Sequence, residues 1–73
     1  MACINPDGSL TLVARDVLRA LEQPRSVEEI HQVARQPTYR VRASLREMGE
    51  IGLVTETEGR YSITEAGRAR LDD

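Results

Sequence analysis

Seventy-three residues with a formal charge of −2 and neither Phe nor Trp leave room for one domain, whose core is built from Leu, Val, Ile, Ala and Met. That length is near the lower limit for self-sufficient folding. No apolar run approaches the ~20 residues that span a bilayer, no basic segment followed by an apolar stretch marks a signal peptide, and the lone Cys3 excludes an intrachain disulfide framework.

The chain opens on a turn segment, residues 1–9. Within Asn5-Pro6-Asp7-Gly8-Ser9, Pro fixes φ and Asp and Gly tolerate the tight positions that follow. Cys3 reads as a small buried hydrophobe, and its reduced state fits a cytoplasmic protein. Leu10, Val13, Val17, Leu18 and Leu21 then recur at three- and four-residue spacing. That period predicts an amphipathic helix over residues 10–22, stopped before Pro24.

A second helix is expected over residues 26–34. Ser26 is placed to accept from the amide of Glu29 while the Glu29 carboxylate reaches back to the Ser26 amide, the reciprocal arrangement of a capping box. Glu28 and Glu29 also sit at the positive end of the helix dipole. Pro37 disfavours helical geometry at Gln36, so this helix ends near Arg35.

The third helix is expected over residues 37–51, with Pro37 in its first turn and Gly52 as its left-handed stop. Val41, Leu45 and Met48 make one apolar stripe. At about 100° per residue, Tyr39, Ala43, Arg46 and Glu50 fall on the opposite face, with Arg40 and Arg42 on its flanks. Residues 53–63 read as two strands around a two-residue turn, Glu58–Gly59. That loop length sets Val54 opposite Ile63 and Glu56 opposite Tyr61. Thr64 then caps a last short helix, residues 64–72, holding Ala66, Ala69 and Leu71. The expectation is a single α+β domain of three helices, a hairpin and a helical tail.

The order and spacing of "SVEEI", Val41, Leu45, Met48, "IGLV" and "RYSITEAGRARL" resemble the winged helix-turn-helix group of prokaryotic transcriptional regulators. The resemblance covers roughly residues 10–70 and implies a three-helix winged helix-turn-helix with a hairpin wing. It also implies duplex DNA as the partner, with helix 3 in the major groove and the wing on the backbone. Carried over by position, Tyr39, Arg40, Arg42, Ala43 and Arg46 would face the groove. Thr38 and the amides at the helix start would hold a phosphate; Arg35 and Arg60 would add backbone contacts. The chain departs from that pattern in three places. Arg35 stands where the group usually has Gly, polar Gln36 follows it, and the wing carries Glu56 and Glu58.

Charge is distributed as a DNA reader would need. Residues 35–46 hold four Arg and no acid, +4, while the other 61 residues hold six Arg against twelve acids, −6. A local cationic surface on an acidic body can orient a protein on DNA, because screening confines the attraction to about 10 Å. All ten cations are Arg, whose planar fork suits phosphate and guanine. A solvated helix face, with Arg46 paired to Glu50 and Arg42 to nearby acids, is the plainer reading. The acidic balance also leaves open a winged-helix module that binds a protein partner without DNA. A DNA-binding regulator with this pattern has no long extra helix for dimerisation, so it would be monomeric, pair as a weak homodimer, or work beside a larger partner. Nothing points to an enzyme. His31, the only His, has no nucleophile or acid arranged with it; together with Cys3 it falls short of a zinc ligand set. No Gly-rich phosphate loop implies a cofactor.

Overall fold

The computed structural model describes residues 5, 6 and 8–72; the reading of Cys3 as a buried hydrophobe falls outside them. Six elements follow in order: α1 Leu12–Ala20, α2 Val27–Ala34, α3 Thr38–Glu50, β1 Val54–Thr57, β2 Arg60–Ile63 and α4 Glu65–Leu71. This is the winged helix-turn-helix fold that the sequence pattern resembles.

Each helix starts where a side chain can satisfy its first amides. Thr11 caps α1, accepting from the Ala14 amide at 3.3 Å, so the helix begins two residues inside the expected start at Leu10. Ser26 and Glu29 form the reciprocal capping box of α2, at 3.3 and 2.9 Å. Thr64 caps α4 through the Gly67 amide at 3.1 Å. Only α3 begins without a side-chain cap; Pro37 stands just before it rather than inside it.

The core lies where the three long helices meet. Ala14, Val17, Leu18 and Leu21 from α1 pack on Ile30 of α2 and on Val41, Leu45 and Met48 of α3; Leu53 and Val54 close it beneath the hairpin. The predicted stripe of α3 is therefore its buried face. Burying one such side chain contributes about 1.5–3 kcal/mol, which is why so small a chain can spare none of them.

The hairpin register is Val54↔Ile63 and Glu56↔Tyr61, as the two-residue loop requires. Both loop residues have positive φ, Glu58 at 51° and Gly59 at 81°, the pairing that matches the twist of the flanking strands. The Glu56 carboxylate accepts from the Gly59 amide at 2.8 Å and fastens the tip. A single further bridge joins Arg25, between α1 and α2, to Tyr61 through mutual backbone bonds of 3.1 and 2.8 Å. It widens the wing on its inner edge and ties it to the helical body.

Candidate nucleic-acid interface

The α2–α3 turn decides where α3 points. Arg35 ends α2 in the left-handed region, φ 56° and ψ 41°, a conformation that costs a non-glycine residue about 1–2 kcal/mol. Side chains hold the turn on both sides. His31 Nδ1 lies 2.6 Å from the Gln36 carbonyl; a carbonyl only accepts, so the ring nitrogen carries the proton. The Gln36 side-chain amide in turn donates to Asp16 Oδ2 of α1 at 3.3 Å. His31 thus serves the turn, and polar Gln36 has work at a position where the resembling group commonly has an apolar residue.

Past the turn, Pro37 leads into α3. Its carbonyl accepts from the amides of Arg40 and Val41 at 3.0 Å each. With no side chain capping this end, the positive pole of the helix faces outward beside Thr38 and Tyr39. With Val41, Ser44, Leu45 and Met48 buried, helical phase turns Tyr39, Ala43, Arg46 and Glu50 away from the core. Tyr39 is 67% exposed and Arg46 is exposed, while Ala43 and Thr38 are half-buried. Arg42, one turn before Arg46, is exposed on the same side.

The arginines have different surroundings. Among the described residues, no hydrogen bond or ion pair engages the side chains of Arg35, Arg42 or Arg46. The pairing of Arg46 with Glu50 that a solvated face would show is not formed. Arg40 is half-buried and leans on its neighbour: its Cζ lies 5.9 Å from the Tyr39 ring centroid, and Nε donates to the Tyr39 hydroxyl at 3.3 Å. Such stacking restricts the guanidinium while leaving its outer edge free to donate.

Arg60 behaves otherwise. Its Nη1 lies 3.3 Å from Glu29 Oε1 and 3.4 Å from the Pro24 carbonyl, folded back over the start of α2, with the side chain still 58% exposed. Glu29 is held below the ordinary carboxylate range, first because it accepts the Ser26 backbone N–H and then because Arg60 stands beside it. The wing tip therefore presents Glu58 and no free guanidinium. Sequence reasoning missed this pair, since thirty-one residues separate its members and no local pattern links them.

The sequence-predicted residues therefore fall into three groups. Thr38, Tyr39, Arg40, Arg42, Ala43 and Arg46 lie on α3, spread around the half of the helix turned away from its buried face. Arg35 ends α2 beside Asp16 and Arg19 of α1 and Glu22 just after it, and Arg60 belongs to the α2–wing junction. Among the described residues, no group of three His, Cys, Asp or Glu could hold a metal ion, and no helix is long and apolar enough to cross a membrane.

No protein-family model and no curated protein matches the chain. Among solved structures, it is similar to a chain from a study of how 6-hydroxynicotinic acid regulates DNA binding of Bordetella bronchiseptica BpsR. The TM-score is 0.84 at 22% identity, over 92% of this chain and 54% of that one. The likeness is one of fold, and this chain spans about half the length of that relative.

Proposed function

We propose that this protein is a non-enzymatic DNA-binding regulator that lays α3 in the major groove of duplex DNA. One observation carries the reading: Arg35, Arg42 and Arg46 stand in an acid-free segment, two of them one turn apart on an exposed helix side, with no carboxylate engaging them among the described residues. In an acidic protein, two unengaged guanidinium groups one turn apart on the exposed side of α3 are best accounted for by an anion that arrives from outside.

The geometry supports a division of roles. Arg42 and Arg46 are placed to fork onto guanine O6 and N7 or to neutralise phosphates, and half-buried Ala43 between them lets the helix approach base edges. The uncapped start of α3, with Thr38, suits a phosphate. Arg40, steadied on Tyr39, and Arg35 extend the contact along the backbone. Arg60 joins only by exchanging Glu29 for phosphate, a change open to an exposed pair. That the BpsR structure concerns regulated DNA binding agrees with the reading. Its setting is the cytoplasm of a prokaryotic cell.

A titration of the protein into labelled duplex DNA at several salt concentrations tests this. With about three to five phosphates neutralised, log K falls against log salt with a slope of about −3 to −4. Arg42→Ala with Arg46→Ala weakens binding and flattens the slope by about 1–2, with thermal stability unchanged. Normal binding by the double variant would remove α3 as the reader. A second reading, a module for a protein partner, is favoured by the acidic wing and by the commitment of Arg60 to Glu29. It predicts no duplex binding at low salt and retention of one stoichiometric partner after nuclease treatment.

A further inference from the structure

The charges of α3 run against the order that would stabilise the helix. Arg40 and Arg42 stand near its positive start, Glu47 and Glu50 lie in its last turn, and no cation offsets the negative pole there. A helix dipole favours the reverse at both ends. Arg46 and Glu50 have the four-residue spacing of a helical ion pair, yet the cation precedes the acid, the poorer order. No hydrogen bond or ion pair engages either side chain among the described residues, and both are exposed. Helix stability does not account for this couple.

Helical phase gives the couple a direction. The buried stripe of α3 is Val41, Ser44, Leu45 and Met48. At about 100° per residue, Tyr39, Ala43, Arg46 and Glu50 lie within about 30° of the line opposite that stripe. Arg42 stands about 70° to one side of the line and Arg40 about 90° to the other. An α-helix about 10–12 Å across fills a major groove about 12 Å wide. Side chains on the outer line then meet base edges, and those on the flanks meet the phosphate walls.

We propose, resting on the reading of α3 as the groove helix, that Arg46 and Glu50 are its specificity pair and that the duplex it takes carries two closely spaced G·C pairs. The Arg46 fork donates to guanine O6 and N7. The Glu50 carboxylate only accepts, and takes the N4 amino group of cytosine. About 6 Å of helix axis separates the two residues, close to two base steps of about 3.4 Å. Glu50 also disfavours guanine or thymine in place of that cytosine, because their edges there are acceptors. It therefore narrows the choice of sequence more than it adds to affinity. Arg42, on the flank, neutralises a phosphate whatever the sequence.

Selection of the full chain against a random-sequence duplex pool, followed by titration of the selected duplex, tests it. The expected result is a guanine and a cytosine enriched within about two steps of each other. Exchanging that guanine for 7-deazaguanine, which lacks the N7 acceptor, weakens binding about fivefold or more. Arg46→Ala loses the preference for guanine, whereas Arg42→Ala weakens all duplexes alike and reduces the salt slope by about 1. Glu50→Gln exchanges cytosine for adenine, whose N6 and N7 match the side-chain amide. This variant melts no lower than the parent, since it removes a charge that the helix end opposes. Salt-dependent binding to every duplex without these preferences would overturn the specificity pair and leave α3 in the groove. A lower Tm for Glu50→Gln, the mark of an internal ion pair, would overturn it as well. No binding to any duplex would overturn both readings.

Discussion

Replacing Gly67 with Ala adds one methyl group to α4 and sets two effects against each other. Alanine is the better helix former by about 1 kcal/mol, so propensity alone favours the variant. Space opposes it. A Cβ at Gly67 would press into the Leu53 carbonyl and stand 2.7 Å from Ile63 Cγ1. Leu53 cannot yield easily: its carbonyl already accepts from the Thr64 amide at 3.0 Å, and the Thr64 hydroxyl donates to the Gly52 carbonyl at 2.7 Å. Overpacking costs about 1–3 kcal/mol, and a clash against backbone that cannot yield falls in the upper part of that range, about 2–3 kcal/mol. The balance is a net loss of roughly 1–2 kcal/mol, or about 5–15 °C in Tm for a domain of this size. Thermal unfolding followed by circular dichroism, with urea unfolding beside it, measures the difference. A variant as stable as the parent, or more stable, would show that α4 does not clasp the α3–β1 loop as described, and the wing anchorage would fall with it.

Two further substitutions probe the turn and the α2–wing junction. Arg35→Gly removes a left-handed strain of about 1–2 kcal/mol and adds about 0.5–1 kcal/mol of unfolded-state entropy. It should raise stability by about 0.5–1 kcal/mol, or roughly 2–8 °C in Tm, while removing one proposed phosphate contact; a lower Tm would contradict the turn geometry. Glu29 titrates below its ordinary value of 4.5 when folded, so its contribution is full above that pH and is lost as pH falls through the lowered value. Denaturation midpoints of the parent should therefore decline more steeply below pH 4.5 than those of Glu29→Gln, and parallel curves would refute the assigned role.

The sequence carried the parts of this fold that local physics determines. Ser26 and Glu29 announce a capping box because both halves of the device lie within four residues. Val41, Leu45 and Met48 mark the inward face of α3 by period alone, and the Glu58–Gly59 loop fixes the wing register because a two-residue hairpin allows few alternatives. The left-handed Arg35 is not legible in its residue type; the sequence shows only that Arg35 stands where the resembling group usually has Gly. What stayed hidden depends on contacts between distant residues. A lone bridge such as Arg25 to Tyr61 leaves no alternating pattern, and the tie from His31 through Gln36 to Asp16 spans two helices. Arg60 looked like a free wing cation because nothing near it in the chain is its partner. The sequence does not single out Thr11 as a cap, because Leu10 fits the apolar period of α1 although it lies just outside the helix.

The claim at the centre is that one side of α3 and the turn before it form a cationic surface that meets DNA. Residue-by-residue NMR shifts during titration with a short duplex measure that surface directly. The account predicts shifts concentrated between Arg35 and Arg46, smaller ones at Arg60 as it leaves Glu29, and none on the outer face of α1. Shifts confined to other surfaces, or a spectrum unmoved by a duplex at low salt, would contradict it.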